Sequence, residues 1–114
     1  MAIVVLTKKA SKKDIKKATE EYPYYIKITA DIRQEIIAIG GEYHADTEKI
    51  LLEGSQSRQN DLWGGGLDLI TGSFDTNAII NLRSGRNEST EILDPETRNR
   101  FLEICRRFLK ENAK

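Results

Sequence analysis

Residues Tyr24 to Ile32 alternate without a break. Tyr24, Ile26, Ile28, Ala30 and Ile32 share one side, and Tyr25, Lys27, Thr29 and Asp31 the other. Period two sustained over nine residues predicts a β-strand with one buried face. Ile3 to Leu6 and Ile36 to Ile39 are short apolar runs rich in β-branched residues, and both read as strands. Arg33-Gln34-Glu35 between the strands predicts a tight turn, and Gly40-Gly41 a second, hairpin-type one. On this reading Glu42 to Glu53 supplies a further strand, interrupted or bulged. Ser55 to Gly66, with three consecutive glycines, reads as a long loop. Leu67 to Ile70 is a short apolar segment. Ala78 to Arg83 and Thr90 to Leu93 are the last strand candidates, separated by a turn at Ser84-Gly85-Arg86-Asn87.

The pattern changes to a helical period at both ends of the chain. Ser11-Lys12-Lys13-Asp14 forms a capping box, with Asp14 in place of the usual Glu or Gln. The helix it opens runs to about Glu21 before Pro23 stops it. One face carries Ile15, Ala18 and Tyr22, and the other Lys12, Lys13, Lys16 and Lys17, a solvated surface with a weak polyanion contact as the alternative. Asp94-Pro95 supplies an N-cap and a first-turn proline for a second helix. Phe101, Leu102, Cys105, Phe108 and Leu109 give that helix an apolar stripe, which makes Cys105 a small core residue. Residues 111–114 read as a fraying tail. These elements predict a single α+β domain over residues 1–114, with an antiparallel or mixed sheet of about five strands. An N-terminal and a C-terminal helix pack on it, on one face.

A chain of 114 residues is long enough for one modest core. Its 18 basic and 18 acidic residues cancel, which argues against bulk electrostatic binding of nucleic acid and leaves self-association, such as a homodimer, easy. One cysteine cannot close an internal disulfide, and no apolar run has the length of a signal peptide core or a membrane span. A cytoplasmic protein with no membrane partner is expected.

Candidate chemistry concentrates in the middle of the chain. Glu42, His44, Asp46 and Glu48 share strand parity with Ile50 and Leu52, so an unbroken strand would set acids and the only histidine beside core residues. That conflict means either a bulge or a polar pocket. In the pocket reading His44 is a general base with Glu42 or Asp46 fixing its tautomer. Arg58, Asn81 and Arg83 are the candidate ligand-binding residues, because arginine forks suit phosphate or carboxylate. A lone histidine fits a zinc site poorly, and no metal ligand set or cofactor motif is assigned. The glycine triplet lacks the flanking elements of a nucleotide loop. Trp63 reads as a packing anchor for the loop, with a stacking platform as the alternative.

The stretches Gly40-Gly41-Glu42-Tyr43-His44-Ala45-Asp46-Thr47-Glu48, Leu51-Leu52-Glu53-Gly54-Ser55, Gln59-Asn60-Asp61-Leu62-Trp63-Gly64 and Ile80-Asn81-Leu82-Arg83 are followed by Asn87-Glu88-Ser89 and Glu91-Ile92-Leu93-Asp94. In order and spacing they resemble a small family of prokaryotic proteins classed only as a domain of unknown function. The resemblance covers about residues 25 to 110 and implies no reaction, cofactor, partner or catalytic residue.

Two functions from different classes fit these parts. One is a small domain that binds or hydrolyses an anionic, phosphate-bearing or nucleotide-like molecule, metal-independent cleavage of an RNA phosphodiester included. The other is an interaction or oligomeric protein whose polar block, residues 41–64, is an internal hydrogen-bond network.

Overall fold

Alternating residues build the centre of the sheet where the period-two pattern is cleanest. A computed structural model describes residues 2–110, and its secondary structure begins with β1 (Ile3–Leu6), α1 (Lys12–Ala18), β2 (Tyr25–Asp31) and β3 (Ile36–Gly40). It continues with α2 (His44–Gly54), β4 (Leu62–Asp68), the two-residue β5 (Phe74–Asp75) and α3 (Pro95–Leu109). The five strands pair antiparallel throughout, in the order β1-β3-β2-β4-β5. The expected α+β architecture, strand number and terminal helices are all present. The tail at 111–114 lies outside the described residues.

Parity along β2 assigns the two layers. Ile26, Ile28 and Ala30 face a large core completed by Ile37 and Ile39 of β3, Trp63 and Leu67 of β4, and Phe101, Ile104, Cys105 and Phe108 of α3. Helix α1 joins this face through Ile15 and Ala18, so both terminal helices lie on one side of the sheet. Both begin as their sequences predict. Ser11 and Asp14 complete the capping box, and Asp94 caps α3 through the backbone N–H of Thr97, with Pro95 in the first turn. Helix α1 ends earlier than expected, at Ala18, where the Thr19 hydroxyl donates to the Ile15 carbonyl at 2.9 Å.

The opposite face carries the main departure from the sequence reading. Residues 44–54 form a helix where the fourth-strand pattern was expected. His44, Thr47 and Leu51 recur at i, i+3 and i+7 and turn toward the sheet, where Leu51 packs with Ala38 and Leu62. The parity conflict between Glu42–Glu48 and Ile50–Leu52 disappears, because the segment never had a strand's parity. Gly40 and Gly41 do not close a hairpin. Both adopt positive φ (92° and 80°) and redirect the chain from β3 into α2.

The glycine triplet is not a loop either. Gly64, Gly65 and Gly66 lie in β4, which pairs along its whole length with β2. A Cβ at Gly65 would sit 2.1 Å from the Asp75 carbonyl and 2.8 Å from the Phe101 ring, and one at Gly66 would sit 1.9 Å from the Tyr25 hydroxyl. Close approach from the neighbouring elements requires the missing side chains. In place of the strands expected at 78–83 and 90–93 stand a 3-10 turn, Ile79–Asn81, and isolated bridges from Asn77 to Glu91 and from Arg83 to Asn87.

Candidate functional site

His44 opens α2, and its position follows from the two glycines before it and from Tyr43, which takes the extended N-cap conformation. Its imidazole reaches down to the sheet, where Nε2 lies 2.7 Å from the Gly65 carbonyl. A carbonyl oxygen only accepts, so Nε2 carries the proton and Nδ1 of the neutral ring keeps its lone pair. Burial holds the pKa of His44 below its ordinary value. The Lys27 ammonium adds to that shift, and the Gly65 bond opposes it. The ring is therefore neutral at pH 7.

Around this histidine lies a cavity of about 290 Å³ lined by Lys27, Tyr43, His44, Ala45, Ile79 and Ile80. Lys27 comes from the polar face of β2, Tyr43, His44 and Ala45 from the start of α2, and Ile79 and Ile80 from the 3-10 turn after β5. The walls are mainly apolar. Ile79 is 81% exposed and Tyr43 62%, so the opening presents hydrophobic side chains to solvent. Lys27 makes no ion pair among the described residues. Its Nζ stacks 4.3 Å from the centre of the Tyr22 ring and 5.7 Å from that of Tyr25. One unneutralised cation thus stands at the edge of an apolar recess beside a neutral imidazole.

The residues singled out in the sequence disperse around this recess. Glu42 is exposed and Asp46 half-buried, and neither bonds to His44, whose tautomer is set by the Gly65 carbonyl instead. Their charges act on Tyr43, raising its phenol pKa, with Glu42 the larger influence. Arg58 is exposed, and its side chain makes no hydrogen bond or ion pair among the described residues. Asn81 is buried and fully committed to backbone. Its Oδ1 accepts from Gly64 N at 2.8 Å, and its Nδ2 donates to the carbonyls of Gly64, Thr76 and Thr90. Arg83 donates through Nε to the Ile80 carbonyl at 3.2 Å and through Nη2 to the Leu62 carbonyl.

His44, Asn81 and Arg83 therefore share a target, the main chain of β4. Among the described residues no group of three or more His, Cys, Asp or Glu side chains is arranged to hold a metal ion. Lys27, Ile79 and Ile80 escaped the sequence reading. Lys27 looked like any solvent-facing strand residue, and the two isoleucines looked like strand core.

The family model that matches this chain covers residues 4–108. The chain belongs to the DUF5674 family. The description of that family is "protein of unknown function", which agrees with the resemblance drawn from the motifs and attaches no activity to the DUF5674 fold. No curated protein and no solved structure matches the chain significantly. Among the described residues no helix is long and apolar enough to cross a membrane.

Proposed function

We propose that this DUF5674 protein is a binding domain for a small amphiphilic carboxylate, taken up in the cavity between Lys27, His44 and Ile79. The observation that carries this reading is the Lys27 ammonium, which has no carboxylate partner among the described residues, at the rim of a recess whose other walls are mainly apolar. A single cation beside a neutral imidazole suits a monoanion. A phosphate dianion is better served by arginine forks. The volume, about 290 Å³, falls at the small end of ligand cavities (roughly 300–1,000 Å³), which favours a short apolar body. Binding is favoured over hydrolysis because, among the described residues, no carboxylate hydrogen-bonds to His44, and its protonated nitrogen is spent on Gly65.

Hexanoate titration followed by calorimetry and by amide NMR shifts tests the reading. Hexanoate should bind and perturb residues 27, 43–45 and 79–80, with hexanol and acetate each weaker because each lacks one half of the recognition. Lys27→Met should weaken hexanoate by about tenfold, the loss of one charge-assisted contact, and leave hexanol unchanged. Equal hexanoate affinity in Lys27→Met, or no shift at the cavity, would sink the proposal.

The amides in the second half of the chain serve a structural network instead of a ligand. Asn87 is buried and donates through Nδ2 to the carbonyls of Asn81, Ser89 and Glu91, while its Oδ1 accepts from Leu93 N. With Asn81 it ties the irregular segment 76–93 to β4, a task that accounts for both amides without a ligand.

A further inference from the structure

Arg83 and Arg86 gather on the only tryptophan of the chain. The guanidinium carbon of Arg83 lies 4.4 Å from the centre of the Trp63 ring system and that of Arg86 5.2 Å from it. Neither arginine has a carboxylate within ion-pair distance among the described residues, although the described ion pairs engage Arg33, Arg100 and Arg107. The like charges act on each other. Burial and then the Arg86 charge lower the pKa of Arg83, and Glu48 opposes this only through space. Two donors in the same stack are buried with no acceptor among the described residues, Arg83 Nη1 and Trp63 Nε1. Unsatisfied buried donors are uncommon, and an unpartnered guanidinium donor beside a second arginine is a deficit of negative charge.

We propose that Arg83 and Arg86, stacked on Trp63, form a binding site for a phosphate group, separate from the cavity at Lys27. Arg83 is the fixed half of the site. Its Nε and Nη2 are anchored to the Ile80 and Leu62 carbonyls, which leaves Nη1 as the free donor. Arg86 is the movable half. It lies in the exposed turn 84–86, next to Gly85 at φ +77°, and is held through Nη1 only by the Asn60 Oδ1 at 2.9 Å. Moving Arg86 aside exchanges that neutral amide contact for a charge-assisted one and opens Arg83 to the incoming oxyanion. A guanidinium plane already held against an aromatic face loses little further side-chain freedom when a phosphate binds.

Trp63 is the natural reporter, because no other tryptophan contributes to the fluorescence. At constant ionic strength, inorganic phosphate and glycerol 3-phosphate should each give a saturable change in Trp63 emission, with chloride giving none. Tighter binding of the ester would mark an organic phosphate as the ligand, and equal binding the phosphate group alone. Arg86→Gln, at an exposed position, should keep the melting temperature and weaken phosphate by about tenfold. Arg83→Lys, which keeps the charge but loses the planar group that aims Nη1, should weaken it as well. Lys27→Met should leave the phosphate response unchanged, which separates this site from the carboxylate cavity. The proposal is overturned by a wild-type protein with no saturable phosphate response, or by Arg86→Gln binding phosphate as the wild type does.

Discussion

At the scale of single residues, positions that look interchangeable in the sequence differ sharply in what surrounds them. Gly54 and Gly65 are both glycines within regular elements. A Cβ on Gly54 meets nothing within 4 Å, whereas one on Gly65 collides with the Asp75 carbonyl and Phe101. Gly65→Ala should therefore cost about 3 kcal/mol in urea unfolding, while Gly54→Ala should gain roughly 0.5 kcal/mol through helix propensity. His44 sets a pH dependence by the same kind of local cause. Its folded pKa lies below 6.5, so below that pH the unfolded chain takes up a proton that the fold resists. Stability should be full above this point and decline as the pH falls through it. The lowered carboxyls of Asp31 and Glu35 add losses only below their ordinary values, 3.8 and 4.5. Urea midpoints at about pH 7.5 and about pH 5.5 should differ in the wild type and converge in His44→Gln.

At the scale of elements, α2 was the segment least legible in the sequence. A strand pattern and a helix pattern were both available in residues 42–53. Helix formation wins because it buries Thr47 and Leu51 while Lys49 and Glu53 stay exposed. The choice is secured by a tertiary contact, a 2.6 Å bond between the hydroxyls of Thr29 and Thr47. Thr47 donates its proton to the His44 carbonyl, so Thr29 donates to Thr47. The start of the helix is not optimised. Tyr43 is the N-cap and makes no side-chain capping bond. Tyr43→Ser should supply that acceptor and raise stability by about 0.5–1 kcal/mol, read as a higher thermal midpoint. It should also weaken hexanoate, because it removes one wall of the cavity. The terminal helices were legible except for the early end of α1, since each carries its own cap and an apolar stripe of local origin.

At the scale of the whole molecule, the sheet separates two unequal cores, and the large one depends on α3. Cys105 lies fully inside it, and burial pushes its thiol pKa up. Thiol reagents should label Cys105 only through global opening. The labelling rate in urea should follow the same midpoint as circular dichroism, and faster labelling below that midpoint would mean that α3 opens locally. Helix α3 is also tied to the far end of the β2–β3 hairpin, where Arg100 reaches Glu35 at 2.7 Å and Arg107 bonds the same carboxylate. Contacts of this kind join residues more than 60 positions apart, beyond the reach of any local pattern.

The sequence by itself determined the α+β class, the strands with clean alternation, both terminal helices with their caps, and the burial of Cys105. These follow from periodicity and capping chemistry, which act within a few residues. Only the tertiary structure decided that the glycine triplet is a central strand and that residues 44–54 are a helix. It also sent His44, Asn81 and Arg83 to the main chain of β4 and left Lys27 beside an apolar recess. Each of these depends on what another part of the chain presents: a ring or carbonyl where a Cβ would stand, a buried hydroxyl on the facing strand, or the lack of a carboxylate near an ammonium.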